Sequence, residues 1–217
     1  MIGISKLYCQ TVEPSDALRY ERMSSKLPSH LLQFSKDKRP VVVWNVTRKC
    51  NLKCVHCYAH AKNQSFDNEL STDEGKKLLD DLAGFGVPVI LFSGGEPLAR
   101  KDLFELAEYA VSKGMRAVIS TNGTLITKDV ANTLKKIGLS YVGISIDGLE
   151  EVNDQFRGVK GAFNSAMKGI ENCQSAGIKV GLRFTINRFN MDEISGIFDI
   201  LEEKEIPRAC FYHLVYA

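Results

Sequence analysis

The sequence predicts an α/β fold in which parallel strands alternate with helices in an open partial barrel. Apolar runs rich in β-branched residues recur from Val41 onward, and a helical pattern separates each from the next. Strands that alternate with helices form parallel sheets through right-handed crossovers. Six predicted strands suffice for a partial barrel but not for a closed eight-stranded one. A flat doubly wound sheet is the alternative, and the absence of GxGxxG after the first strand disfavours it.

The strands are predicted from short runs of apolar and β-branched residues. The first run, VVVWNV (41–46), is typical of a strand buried on both faces of a sheet. The later strands are predicted, in chain order, at 87–92, 115–120, 140–146, 178–186 and 208–217.

The helices are predicted from apolar stripes and from end signals. The first helix, 71–86, begins with Ser71 and Glu74, which form a capping box, and ends in glycine. The remaining helices are predicted, in chain order, at 101–114, 127–138, 162–177 and 191–205.

Residues 1–40 differ from the rest of the chain. They are rich in charges, contain Pro14, Pro28 and Pro40, and show no clear periodicity. We therefore expect an N-terminal extension over 1–40, with a short helix near 14–24, that covers the outside or one end of a domain over 41–217.

The composition excludes several classes of protein. Apolar residues make up 44% of the chain, which allows a sizeable core. Lys and Arg number 28 against 26 Asp and Glu, and this balance argues against a binder of nucleic acid, which needs a basic face. No apolar run approaches the roughly 18–20 residues of a membrane span. The start, MIGISKLYCQ, lacks a signal-peptide pattern, so we expect a cytoplasmic protein without a membrane partner.

Polar residues collect where the predicted strands end, which is the edge that carries active sites in parallel α/β folds. Turn chemistry explains any one of these segments, but their shared edge predicts a functional site. The segments are, in order, TRKCNLKCVHCYAH, SGGEPL (93–98), STNGT (120–124), SIDG (145–148), then Arg183, Thr185 and Asn187, and finally Tyr212 and His213.

Three of the six cysteines, Cys50, Cys54 and Cys57, form the pattern CxxxCxxC. Clustered cysteines in a cytosolic chain indicate metal binding or catalysis. Three thiolates can hold three irons of a [4Fe–4S] cluster and leave the fourth iron free for a ligand. A Cys3His zinc site that includes His60, and free thiols without a metal, are the alternatives.

CNLKCVHC followed by SGGEP at the next strand end resembles the radical S-adenosylmethionine (radical SAM) superfamily over residues 41–217. The resemblance implies a (β/α)6 partial barrel. It also implies that Cys50, Cys54 and Cys57 ligate a [4Fe–4S] cluster whose fourth iron binds S-adenosylmethionine. His56 matches an aromatic position near the adenine.

The resemblance implies further contacts to S-adenosylmethionine. Gly94, Gly95 and Glu96 match the GGE motif, which binds the methionine amino group. Residues that match positions near the ribose and methionyl groups are Ser120, Thr121, Asn122, Ser145 and Asp147.

NDQFRGVKGAF resembles the pattern HDxxRGxxGxF, in which the arginine pairs with the methionyl carboxylate. Arg157 takes that position, and Asn153 stands where relatives often have histidine. Thr185 and Asn187 fall where strand five meets the adenine. The implied chemistry is reductive cleavage of S-adenosylmethionine to methionine and a 5′-deoxyadenosyl radical, with a ferredoxin- or flavodoxin-like reductant as electron donor.

The N-terminal 60 residues resemble the haem-biosynthesis branch of the superfamily, which contains the 12,18-didecarboxysirohaem deacetylases and the haem d1 enzymes. This implies a tetrapyrrole substrate, and Arg and Lys suit its carboxylates. The candidate cations are Arg48, Lys49 and Lys53 around the cysteine loop and Arg19, Arg22, Lys26, Lys36, Lys38 and Arg39 in the extension.

Members of that branch continue into a cysteine-rich auxiliary-cluster region, so we expect this chain to be a truncated or split form. Cys9, Cys173 and Cys210 are too dispersed to replace that region. Two other functions stay open: a radical SAM enzyme that modifies a haem d1 precursor or a ribosomal peptide, and a non-catalytic cluster- or zinc-binding module.

Overall fold

The computed structural model describes residues 39–214 and contains one six-stranded sheet. Every pair of neighbouring strands is parallel, which confirms the predicted class. The strands are β1 (Val42–Thr47), β2 (Val89–Gly94), β3 (Arg116–Thr121), β4 (Tyr141–Ser145), β5 (Val180–Ile186) and β6 (Ala209–His213).

Six helices connect these strands, and short 3₁₀ turns follow β2 and precede the last helix. The five helices predicted from the sequence are all present. The predicted extension and its helix near 14–24 lie outside the described residues, apart from its last positions. The helices are α1 (Thr72–Phe85), α2 (Leu103–Ser112), α3 (Lys128–Lys136), α4 (Glu150–Arg157), α5 (Ala162–Ser175) and α6 (Ile194–Glu203).

The order of strands in the sheet follows the order of the chain, β1 to β6. A doubly wound sheet instead reverses direction at a switch point. Because right-handed crossovers that always step the same way put every helix on one face, the other face stays open to form the inside of a partial barrel. The sheet order therefore excludes the flat doubly wound alternative.

The predicted capping box starts α1. The Ser71 hydroxyl accepts from the Glu74 N–H at 3.3 Å, and the Glu74 carboxylate accepts from the Ser71 N–H at 2.8 Å. Gly86, with φ of 83°, ends the helix in the left-handed conformation that glycine adopts without strain. Local sequence signals thus fix both ends of this crossover helix.

Helix α4 is an element that the sequence analysis did not predict. It has a low apolar content, but Leu149, Val152 and Phe156 follow helical spacing, and Gly158 ends it with φ of 65°. Its last carbonyls bind the cysteine loop: Phe156 accepts from the Val55 N–H at 2.9 Å. The helix therefore helps to position the metal-ligand candidates.

The core lies between the outer face of the sheet and the helices. Alternate strand residues such as Phe92, Ile119 and Phe184 point outward and are at most 1% exposed. They pack with helical side chains such as Leu106 and Leu134, which are fully buried. Burial of these side chains holds the crossover layer against the sheet.

The inner face of the sheet is more polar than expected. The prediction that β1 is buried on both faces is wrong, because Val43 is 56% exposed. The inner positions of the other strands include Ser93, Ser120 and Arg183, which line a cavity. An open barrel leaves this face in contact with bound molecules or solvent, so it does not need a continuous apolar surface.

Across residues 39–214, no helix has the length and apolar character needed to cross a lipid bilayer.

Candidate active site

A cavity of about 410 Å³ lies on the inner face of the sheet, at the carboxyl ends of its strands. The loop after β1 borders it and is held by backbone hydrogen bonds, including Cys50 N–H to Lys62 C=O at 3.1 Å and Lys53 N–H to Arg157 C=O at 3.0 Å. The sheet and α4 thus place the cysteine loop over the open end of the barrel.

Most of the residues predicted from the sequence line this one cavity. The exceptions are Glu96 and Asp147, which are buried beside it, and Asn187, which lines a neighbouring cavity. The predicted residues in its wall are Cys50, Cys54, His56, Cys57, Gly94, Gly95, Ser120, Thr121, Asn122, Ser145, Arg157 and Thr185.

Each of the three loop cysteines has a nearby hydrogen-bond donor. Cys50 accepts from the Leu52 N–H and Cys57 from the Ala61 N–H, both at 3.4 Å, and the Arg157 guanidinium lies 3.7 Å from the Cys54 sulfur. Burial raises the pKa of the Cys50 thiol to about 11. Donors aimed at the sulfurs suit thiolate ligands, while burial keeps a metal-free thiol protonated.

Within residues 39–214, no three His, Cys, Asp or Glu side chains converge closely enough to hold one metal ion. A single zinc needs its ligands around one point. An iron–sulfur cluster instead takes each cysteine on a different iron. Three thiolates in one loop match the number of protein ligands of such a cluster when its fourth iron binds another molecule.

The turn after β2 lies directly against the start of the cysteine loop. Gly94 has φ of 128°, and a Cβ there would overlap the Thr47 carbonyl oxygen. A Cβ on Gly95 would come within 2.5 Å of the Lys49 carbonyl oxygen. Both positions need glycine because two backbones touch, and this contact brings the backbone of the SGGEP turn into the cavity wall.

The Glu96 side chain is fully buried. Its contact with a bound amino group stays a prediction. Its carboxylate accepts from the Thr121 hydroxyl at 2.8 Å, the Asn122 N–H at 2.8 Å and the Leu98 N–H at 3.0 Å. Burial raises its pKa, and the three hydrogen bonds oppose that rise. Glu96 therefore ties the turn after β2 to the loop after β3.

Glu96→Ala is expected to destabilise the protein and to weaken S-adenosylmethionine binding indirectly. The change leaves buried donors of Thr121 and Asn122 without an acceptor, at a cost of about 1–3 kcal/mol each. The melting temperature and the binding isotherm should therefore fall together. Glu108→Ala, at an exposed position on α2, is the control. Weaker binding at an unchanged melting temperature would instead indicate direct contact between Glu96 and the ligand.

Asn122 connects the loop after β3 to the cysteine loop. Its amide donates to the Asn51 side-chain oxygen at 3.0 Å and lies 3.9 Å from the Cys50 sulfur. The Asn51 amide in turn donates to the Thr124 hydroxyl at 2.8 Å. Asn51 completes a polar network beside the first cysteine. It was not predicted from the sequence, although its position inside the CNLKC motif was a signal.

Asp147 is the centre of a buried charge cluster. One carboxylate oxygen lies 2.6 Å from Arg157 Nη2 and 3.1 Å from His56 Nε2, and the other accepts from the Thr185 N–H at 3.0 Å. Burial alone would raise the pKa of Asp147, but the Arg157 charge, His56 and the Thr185 N–H together lower it. Asn153 accepts from the Asp147 N–H at 2.9 Å, which fixes the strand end.

The contacts within this cluster show which of the groups of Asp147, Arg157 and His56 already have protein partners. Asp147 is 1% exposed, and its carboxylate pairs with Arg157 and His56. Its expected position near the ribose and methionyl groups stays a prediction. The charge of Arg157 is already balanced by Asp147. His56 packs edge-on against Phe156, with ring centroids 5.6 Å apart, and lines the cavity. Its contact with adenine stays a prediction.

The end of β5 supplies one cavity residue and one loop residue. Thr185 lines the cavity, as expected. The Asn187 side chain is engaged in its own loop, where it donates to the Thr185 carbonyl at 3.2 Å and accepts from the Phe189 N–H at 2.9 Å. Asn187 therefore shapes the rim of the site.

A second, larger cavity of about 1120 Å³ adjoins the cysteine loop. Its apolar lining includes Val55, Phe156 and Phe189, and Phe189 is 68% exposed. Lys53 and Arg188 add positive charge. The cavity thus combines a broad apolar surface with cations at its edge.

The sequence model of the Radical SAM superfamily matches residues 44–201. Fe-coproporphyrin III synthase of Methanosarcina barkeri is 74% identical over 217 residues, which is 100% of this chain and 54% of that protein. Pre-heme d1 synthase of Dinoroseobacter shibae is 44% identical over 179 residues, 82% of this chain and 44% of that protein. The chain spans about half the length of the curated relatives it matches.

The crystal structure of Streptococcus suis SuiB bound to S-adenosylmethionine has the same fold. It aligns with a TM-score of 0.70 at 21% sequence identity, over 82% of this chain and 41% of that chain. This likeness confirms the partial-barrel fold.

Proposed function

We propose that this chain, which belongs to the radical SAM superfamily, forms the catalytic barrel of an enzyme that removes acetate side chains from 12,18-didecarboxysirohaem. The family uses a [4Fe–4S] cluster together with S-adenosylmethionine. One observation carries the proposal: the three loop cysteines and the SGGEP turn border a single cavity at the carboxyl edge of the sheet.

Cys50, Cys54 and Cys57 would hold the cluster. When bound, the cluster and S-adenosylmethionine supply a 5′-deoxyadenosyl radical, which abstracts hydrogen from the substrate. The backbone of Gly94 and Gly95 and the His56 ring would orient S-adenosylmethionine in the cavity wall. The loops above the sheet exclude water from the reacting atoms, which is the protein's part in cofactor chemistry.

The larger cavity supports a tetrapyrrole substrate. A flat macrocycle presents an apolar face, and its acidic side chains surround it. The apolar side chains of Val55 and Phe189 fit the face, and Lys53 and Arg188 fit the carboxylates at its edge. The similarity to Fe-coproporphyrin III synthase supports the same class of ligand.

The cations named from the sequence contribute unequally to this surface. Lys53 lines the larger cavity, whereas Arg48 lies 4.5 Å over the Phe66 ring and lines other clefts. Arg39 lies 4.8 Å over the Phe85 ring at the end of α1. The remaining cations of the predicted extension are outside the described residues.

A haem d1 precursor is a second candidate substrate, and the 44% identity to pre-heme d1 synthase favours it. Both candidates are iron tetrapyrroles with carboxylate side chains, so the same cavity could hold either. Electron delivery by a ferredoxin- or flavodoxin-like reductant is part of the proposal in both cases.

The test is one anaerobic reaction with reconstituted protein, dithionite, S-adenosylmethionine and 12,18-didecarboxysirohaem. We expect 5′-deoxyadenosine to form. Efficient formation of iron coproporphyrin III together with it would show that this barrel suffices for the whole reaction. A parallel reaction without tetrapyrrole measures uncoupled cleavage. Equilibrium binding of iron coproporphyrin III, followed by absorbance, provides a readout that does not depend on turnover.

The outcomes test separately the substrate assignment and the assignment of radical SAM catalysis. Deoxyadenosine without a tetrapyrrole product, and without tetrapyrrole binding, would contradict the substrate assignment. A product of mass expected for pre-haem d1 would favour the second candidate. Absence of both iron and deoxyadenosine in reconstituted protein would contradict the catalytic assignment itself and favour a non-catalytic module.

A further inference from the structure

We propose that Arg183 forms a carboxylate-binding subsite on the inner face of the sheet. The proposal rests on the proposed function, because the carboxylate belongs either to an acidic side chain of the tetrapyrrole or to the methionyl group of S-adenosylmethionine. Nothing in the sequence resemblance assigned Arg183 a ligand.

The position of Arg183 on β5 turns it toward the site. Its neighbours Leu182 and Phe184 are fully buried against the helices, so alternation along the strand directs Arg183 to the inner face. Arg183 and Thr185 both line the cavity of about 410 Å³ beside the cysteine loop. The guanidinium therefore lies inside the partial barrel.

A glycine on the neighbouring strand makes room for this side chain. A Cβ on Gly143 of β4 would overlap Arg183 Nε, so the guanidinium lies across β4 at the point where that strand has no side chain. On the far side, Nη1 donates to the Ser120 hydroxyl of β3 at 2.5 Å. The arginine is thus held in one orientation across three strands.

The charge of Arg183 lacks an acidic partner in the described part of the chain. None of the ion pairs formed within residues 39–214 includes it, whereas Arg157 pairs with Asp147 and Arg100 with Asp102. Its Nε is buried and has no hydrogen-bond partner among these residues. Arg183 is half-buried and borders the cavity, so an anion bound there could reach its guanidinium and compensate the charge.

A carboxylate is the anion that fits this environment. The planar guanidinium carries five N–H donors and matches two carboxylate oxygens at once. The hydroxyls of Ser93, Ser120 and Ser145 also line the cavity and add neutral donors. The two buried acids at this edge of the sheet already have other partners: Glu96 accepts three hydrogen bonds, and Asp147 pairs with Arg157. A bound ligand is therefore the available source of negative charge.

Arg183→Gln removes the charge and keeps a polar side chain, which ends near the present position of Nε and gives up the contact that Nη1 makes with Ser120. Reconstituted protein is titrated with iron coproporphyrin III by absorbance and with S-adenosylmethionine by calorimetry. We expect a loss of affinity of about 10- to 100-fold for one of these ligands, as for a lost charged hydrogen bond. Arg183→Lys keeps the positive charge but not the planar pair of N–H donors, so its affinity for that ligand should fall by about 3- to 10-fold.

Arg116→Gln is the matched control. Arg116 Nε also donates to a serine hydroxyl, that of Ser140 at 2.7 Å, but Arg116 lies at the amino end of β3, away from the cavity. This variant should bind both ligands with wild-type affinity. Melting temperatures of all variants show whether a loss of affinity reflects a loss of folding.

The two titrations identify the source of the carboxylate. Loss confined to iron coproporphyrin III assigns the subsite to the substrate, and loss confined to S-adenosylmethionine assigns it to the methionyl group. Wild-type affinity for both ligands in folded Arg183→Gln overturns the proposal. If that variant does not fold, wild-type affinity in Arg183→Lys overturns it.

Failure of the proposed function gives a different result. In that case the wild-type protein itself does not bind iron coproporphyrin III. The S-adenosylmethionine titration then decides the role of Arg183: a loss of affinity in Arg183→Gln supports the subsite, and an unchanged affinity overturns it.

Discussion

Replacement of Cys50, Cys54 or Cys57 by alanine is expected to abolish the iron–sulfur cluster and all cleavage of S-adenosylmethionine. Wild-type protein reconstituted without oxygen should hold about four irons per chain, and each variant should fall to background. Because only three cysteines ligate the cluster, the loss of one thiolate leaves a second iron without a protein ligand. Iron and sulfide analysis, with the visible absorption spectrum, measures the loss.

Cys173→Ala is the matched control for these variants. Cys173 is fully buried on α5, and burial raises the pKa of its thiol to about 12, so it stays protonated and inert. Its replacement should leave the iron content unchanged. Full iron content in Cys54→Ala, or stoichiometric zinc without iron in the wild type, would contradict the assignment of the cysteine loop.

The alternation of strands and helices could be predicted because its signals are local. Apolar runs mark the strands, and capping residues such as Ser71 mark helix ends. Helix α4 was not predicted because its apolar stripe is weak and because it is held by contacts with distant segments. One such contact is the hydrogen bond from the Val55 N–H to the Phe156 carbonyl. The polar character of the inner face was not predicted either, because whether a barrel is open or closed depends on the whole sheet and not on any one strand.

The residues of the site were easier to predict than the directions of their side chains. The SGGEP motif predicted that Gly94 and Gly95 lie in the cavity wall, but it did not show that the Glu96 carboxylate is buried behind that wall, bound to Thr121. The ion pair between Asp147 and Arg157 joins the turn after β4 to the last residue of α4, and no spacing rule relates these two residues. Only the folded chain shows which charges are already compensated and which, like Arg183, are not.

Asp147→Ala is expected to lower the stability of the protein by about 3–5 kcal/mol, because it leaves the buried Arg157 charge without its partner. For a chain of this size the melting temperature should fall by about 6–20 °C. Glu171→Ala is the control. It breaks surface pairs with Lys168 and Lys204 and should cost less than about 1 kcal/mol.

A double variant separates the ion pair from simple loss of packing. Asp147→Ala combined with Arg157→Met removes both charges, so its destabilisation should be clearly smaller than the sum of the two single effects. If the losses of stability are instead additive, the two side chains act independently, and the ion pair between Asp147 and Arg157 does not stabilise the site.

The same pair predicts how stability depends on pH. Because the pKa of Asp147 is lowered in the folded protein, its contribution is fully present above the ordinary carboxyl pKa and is lost as pH falls through the lowered value. Asp147→Asn cannot titrate and should lack this acid-dependent part of the melting profile. Parallel profiles for wild type and Asp147→Asn would mean that the Asp147 carboxylate is not the group whose ionisation holds Arg157 and His56 in place.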